Sequence, residues 1–177
     1  MWGTILIIPE LGFKIESIID RSIIYDKLTK EMNKAEFSAK ESSKDPSSKV
    51  GARILRLDYV LESEGYNGFV KGCDEDVMSY ETPLKYELTL HAEENAFIFA
   101  RKTSLHNCML ITTHLPCPRC LRMALQYGVR HIFFRHTDHV DRWNPQEKQA
   151  FKLLLQSFGE YSTDNYVRTN IHIDRIP

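Results

Sequence analysis

The stretch that decides the fold runs from His91-Ala92-Glu93-Glu94-Asn95-Ala96-Phe97-Ile98-Phe99-Ala100 through Cys108-Met109-Leu110-Ile111-Thr112-Thr113 and Pro116-Cys117-Pro118-Arg119-Cys120 to His131-Ile132-Phe133-Phe134-Arg135. Its apolar residues switch between helical and extended spacing. His91 to Lys102 reads as a helix with Ala92, Ala96, Phe97 and Ala100 on one side, and Cys108 to Thr113 as a strand. Cys117 to Tyr127 reads as a second helix with Gly128 as its C′ residue, and His131 to Arg135 as a further strand. Strands alternating with helices of this length make crossover units.

Working outward, Ile24, Leu28, Met32, Ala35 and Ala39 recur at spacings of three and four, an amphipathic helix that Asp45-Pro46 ends because proline disfavours the α region in its predecessor. Val50 to Leu57 and Leu61 to Tyr66 read as two closely joined, antiparallel strands, with Gly65-Tyr66-Asn67-Gly68 as a turn cluster. Cys73 to Tyr86 reads as a long loop. Pro145 to Phe158 is a helix with a broad stripe of Ala150, Phe151, Leu154, Leu155 and Phe158, and Tyr166 to Ile173 is a final strand. The expected architecture is a three-layer α/β/α sandwich around a mixed sheet of about five strands. Residues 20–177 form that domain, and residues 1–19 are an accessory N-terminal extension.

Composition narrows the function. Of 177 residues, 27% are charged and 42% apolar, with 23 basic against 24 acidic side chains. This is the make-up of a folded globular domain, and a net charge of −1 argues against a surface that tracks nucleic acid. The longest apolar runs, Ile5 to Ile8 and Cys108 to Ile111, fall far short of the ~20 residues a helix needs to span a bilayer. The N-terminus lacks the basic start and small-residue cleavage site of a secretory signal. A reducing, cytoplasmic setting is expected (host cytoplasm for a viral chain), with the four cysteines as free thiols or metal ligands.

His91 and the pair Cys117 and Cys120 supply one imidazole and two thiolates, a set suited to zinc, and three protein ligands leave the fourth tetrahedral position to water. A separation of three puts both sulfurs on the first turn of one helix, whose N-terminus favours thiolate. His91 opens another helix. Glu93, two residues on, is too close in sequence to complete the ligand set and falls beside the bound water, where a carboxylate accepts its proton. The combination His-x-Glu with Pro-Cys-x-x-Cys is the known signature of zinc deaminases. The alternative is a closed structural site, with Cys73, Cys108, His106 or His114 as fourth ligand.

With these motifs, Ser43-Lys44-Asp45-Pro46-Ser47-Ser48-Lys49-Val50-Gly51-Ala52, Gly65-Tyr66-Asn67-Gly68 and Gly72-Cys73-Asp74-Glu75-Asp76-Val77, the chain resembles the cytidine and deoxycytidylate deaminase superfamily from about Phe37 to about His139, most of all its dCMP deaminases. The resemblance implies hydrolytic deamination of dCMP to dUMP by a zinc-bound hydroxide, feeding dTMP synthesis. Glu93 would carry protons to N3 and to the departing amine. Asn67 would bond the deoxyribose, and Ser47 and Lys49 the 5′-phosphate. It further implies a homohexamer regulated by dCTP, with Mg²⁺, and by dTTP through the stretch Asn67 to Asp74. One departure is visible: family members commonly carry a tyrosine near the base just beyond the fourth strand. Here Arg135 to Asp141 has none, leaving His136, His139 or Trp143 as substitutes.

Two other functions fit parts of the sequence. Arg130-His131-Ile132-Phe133-Phe134-Arg135-His136 mixes basic and aromatic residues as the stacking groove of a polynucleotide deaminase would. Modified or triphosphate cytosine nucleotides are the other candidate substrates. A non-catalytic zinc protein is the remaining alternative, and it has no use for Glu93.

Overall fold

The computed structural model describes residues 4–17, 25–159, 166–169 and 171–177. A hairpin of β1 (Thr4–Ile8) and β2 (Phe13–Ser17) leads to helix α1 (Tyr25–Ser42), strands β3 (Gly51–Arg56), β4 (Leu61–Tyr66) and β5 (Gly68–Phe69), and a single helical turn α2 (Lys85–Leu88). Then come β6 (Thr89–Leu90), α3 (Ala92–Ala100), β7 (Cys108–His114), α4 (Pro118–Gln126), β8 (His131–His136), α5 (Pro145–Gln156), β9 (Tyr166–Thr169) and β10 (His172–Arg175).

The central sheet has five strands in the order β10-β8-β7-β3-β4, with β7, β8 and β10 parallel and β3 antiparallel to both neighbours. It is the expected mixed sheet. Its two faces follow from the two-residue period of its strands. Leu55, Met109, Ile111 and Phe133 turn towards Leu28 and Met32 of α1. Ile54, Leu110, Ile132 and Phe134 turn towards Ala92, Ala96 and Phe97 of α3 and Leu121, Ala124 and Leu125 of α4. Helices on both faces complete three layers.

Gly65 decides how closely α3 can approach. A Cβ there would lie 2.4 Å from Ala92 O and 2.5 Å from Ala96 N, so any side chain would push the start of α3 off β4. The Gly65 to Gly68 stretch is therefore no turn. Gly65 and Tyr66 finish β4, and Asn67 leads straight into β5 without a positive φ. Gly128 does close α4 as expected, at φ +91°.

Two other readings change. The loop from Cys73 to Tyr86 ends in a helical turn begun by Lys85. The C-terminal strand is two strands: β9 joins β1 and β2 in a separate three-stranded sheet, and β10 joins the central one. Because β9 runs parallel to β2 and β10 parallel to β8, the partners were set by residues far off in sequence. Within residues 1–19, Leu6, Ile8, Leu11, Phe13 and Ile15 are buried in the same cluster as the central sheet and α5. Ile24, expected to open the first helix, lies outside the described residues. No helix among the described residues is long and apolar enough to cross a membrane.

Candidate active site

The start of α3 and the start of α4 converge beyond one end of the sheet. His91 is the N-cap of α3 and Cys117 the N-cap of α4. The Glu94 carboxylate joins them, since its Oε2 accepts the His91 backbone N–H at 2.8 Å and the Arg119 guanidinium at 2.8 Å. Glu94 caps its own helix within one turn, whereas Arg119 does not stand out in the sequence, because its partner lies on the other helix.

His91 Nδ1 lies 3.5 Å from Cys117 Sγ and 3.3 Å from Cys120 Sγ, and the three ligand atoms fall within 4.8 Å of one another. Among the described residues no fourth His, Cys, Asp or Glu joins the group. Cys108 is buried at the far end of β7, and His114 is hydrogen-bonded to Thr113 Oγ1. The donor set therefore fits zinc in an open site with three protein ligands.

The trio shares protons tightly. Hydrogen bonds from Cys120 and from His91 pull the Cys117 thiol down to about 4, and the bond to Cys117 lifts the His91 imidazole to about 9. Cys120 is pushed well up by its bond to Cys117 and by burial. Glu93 is 4% exposed, and burial raises its proton affinity against the pull of nearby His91. Its Oε1 accepts the Thr112 hydroxyl at 3.3 Å.

Asn67 directly precedes β5 and His91 directly follows β6, the two strands pairing in the register Gly68↔Leu90 and Phe69↔Thr89. The Asn67 amide is fully engaged. Oδ1 accepts Ser43 Oγ and Val50 N–H, each at 2.9 Å, while Nδ2 donates to Ser48 O at 2.8 Å and to Asp45 Oδ2 at 3.4 Å. Ser47 Oγ donates to Asp45 Oδ1 at 3.0 Å and accepts from Lys85 Nζ at 2.7 Å. The Lys49 ammonium binds the Ser43 and Lys40 carbonyls at the end of α1.

These residues centre on a pair that sequence reasoning missed. Lys85 Nζ meets Asp45 Oδ2 at 3.0 Å, with the side chains 5% and 3% exposed. Burial works against the Asp45 charge. The Ser47 N–H, the Lys85 ammonium, the Ser47 hydroxyl and the Ser48 N–H outweigh it and hold the carboxyl below its ordinary range. Lys85→Met leaves this carboxylate buried without its cation. Urea unfolding should then show a loss of about 3–5 kcal/mol, and a loss below about 1 kcal/mol would mean that the loop from Ser43 to Lys49 holds its shape by other bonds.

The residues beyond β8 are mostly structural. Trp143 is 8% exposed and packs on Phe151, His136 Nε2 faces Glu36, and His139 Nε2 bonds Leu115 O at 2.9 Å, just before the cysteine motif. Phe133 and Phe134, proposed for a stacking groove, are core residues. These two rings are therefore not available to stack on bases.

Comparison with known proteins agrees with this geometry. The sequence model of the cytidine and deoxycytidylate deaminase zinc-binding region matches residues 26–136. The chain belongs to this family. It is therefore a zinc-dependent hydrolase of the deaminase type. It is 39% identical over 117 residues to an uncharacterized deaminase of Aliivibrio fischeri, covering 65% of this chain and 78% of that one. It is 30% identical over 129 residues to human deoxycytidylate deaminase, covering 70% and 71%. The dCMP deaminase of cyanophage S-TIM5 superposes with a TM-score of 0.57 at 23% identity, over 85% of this chain and 97% of the phage enzyme, so the two share a fold.

Proposed function

We propose that this deaminase hydrolyses dCMP to dUMP and ammonia, and that dUMP then feeds dTMP synthesis. The observation that carries the reading is the buried Glu93 carboxyl beside the open His91, Cys117 and Cys120 trio. The kinship with human deoxycytidylate deaminase supports the choice of substrate.

Zinc held by these three residues supplies an acidified water and a Lewis acid for the oxygen that develops charge. The chain supplies the rest. Across the reaction a C–O bond forms at C4, the C4–N4 bond breaks, and protons pass to N3 and then to the leaving amine. Glu93 carries them, and its burial suits this work, because desolvation raises the proton affinity of the carboxyl and so helps it take up the proton it later hands on. Asn67 is proposed for the sugar, and Ser47 and Lys49 for the 5′-phosphate. Each is engaged within the protein, so substrate contact means exchange: Lys49 gives up two carbonyls for a phosphate oxygen, a charge-assisted bond. Lys49→Ala should then raise KM for dCMP about tenfold, leave kcat unchanged, and leave turnover of deoxycytidine untouched. Equal effects on both substrates would place Lys49 outside the phosphate site.

Regulation by dCTP with Mg²⁺ and by dTTP, assembly into a homohexamer and a cytoplasmic location complete the proposal. They rest on the resemblance over Asn67 to Asp74 and on the free thiols. The deciding experiment measures ammonia release from dCMP, dCTP, deoxycytidine, 5-substituted dCMP and a deoxyoligonucleotide, with zinc content on the same sample. Turnover confined to the oligonucleotide, or none on any substrate at full zinc, would overturn the reading.

A further inference from the structure

We infer that Thr112 is a positioning residue for the proton carrier, its hydroxyl fixing the Glu93 carboxylate from beneath. The inference deepens the deaminase reading and rests on it. Thr112 lies on β7, the middle strand of the sheet, between Ala52 of β3 and Phe134 of β8. Its side chain is on the α3 face, in line with Cys108 and Leu110, which belong to the apolar cluster there. Thr112 itself is fully buried.

A valine would fill the same space without a polar atom. A buried hydroxyl lacking a partner is destabilising, so the hydroxyl is expected only where it bonds something. Its bond is to Glu93 Oε1, at 3.3 Å. The neighbouring Thr113 makes the contrast, since it faces the other way and its Oγ1 accepts the Gly51 N–H and bonds the His114 ring. A donor on the central strand is held by hydrogen-bonded neighbours on both sides, so it moves less than one on a loop. It occupies Oε1 and fixes the carboxylate rotamer. Glu93 is thereby supported from the sheet as well as carried on the first turn of α3, where its own backbone N–H and the Cys120 thiol also bond the carboxyl.

The test compares Thr112→Val, Thr112→Ser and wild type in zinc content, kcat and KM on dCMP, with Glu93→Gln as reference. Thr112→Val should lower kcat about 10- to 100-fold while KM stays within about twofold, and Thr112→Ser should recover most of the loss. Wild-type kcat in Thr112→Val, or equal losses in both variants, would overturn the inference. If Thr112→Val does not fold, Thr112→Cys replaces it, keeping the size with a much weaker donor. A second measurement needs no turnover. Thr112→Val should reduce the folding equilibrium constant about fivefold in the wild-type background and leave it unchanged or raise it in the Glu93→Leu background. The same cost in both backgrounds overturns the inference, whereas an inactive wild type with this coupling intact would count against the deaminase reading alone.

Discussion

Glu93→Gln loses deamination by about three to four orders of magnitude in kcat while zinc content and melting temperature stay near wild type. Gln keeps the size of the side chain and an oxygen to accept the Thr112 hydroxyl, so the packing at the start of α3 is preserved. What it cannot do is gain and release a proton. Burial makes the substitution cleaner than usual, because replacing a buried carboxyl by a neutral amide also removes the desolvation that raises its proton affinity. Folding should therefore be unharmed or slightly improved. A variant with more than a tenth of wild-type kcat would assign the proton transfers to another group. Loss of zinc along with activity would make Glu93 part of the metal's hold and not of the chemistry.

Zinc affinity should fall about 100-fold for each pH unit from pH 7 to pH 5.5. The sign follows from the three ligands, which bind the ion only when deprotonated. Cys117, at about 4, is already a thiolate throughout this range. His91, at about 9, and Cys120, well above the ordinary thiol value, both carry protons that binding must release. Two protons leave per ion, so acid competes as the square of its concentration. Three independent ligands with ordinary pKa values would release close to three protons at pH 5.5, about 8.5 being usual for a thiol and about 6.5 for an imidazole. Chelator competition across the range, with proton release counted at pH 5.5, separates the cases. Release of three protons would show that Cys117 is an ordinary thiol and that the trio is not coupled.

Both expectations use residues that sequence spacing reveals, and the reason is geometric. Cys117 and Cys120 are one helical turn apart, and His91 and Glu93 are two residues apart at a helix start, so local structure alone brings each pair together. The short apolar runs in Cys108 to Thr113 and His131 to Arg135 similarly expose the buried strands, and the amphipathic spacing from Leu28 to Ala39 exposes α1. The runs did not show which strand would pair with which. Tyr166 to Ile173 has one continuous extended pattern, yet its two halves lie in different sheets.

By itself, then, the amino-acid order determined the layers, the His91, Cys117 and Cys120 group and the place of Glu93 near it, because each depends on contacts within a turn or on the period of a single element. Only the tertiary structure decided that Lys85 neutralises Asp45 from 40 positions away, that Glu94 ties the two ligand-bearing helices through Arg119, and that Thr112 reaches Glu93 from the sheet. Nothing in a lone Lys, Arg or Thr announces its partner. The partner is chosen by which buried charge or hydroxyl would otherwise be left unsatisfied once the helices and strands have packed.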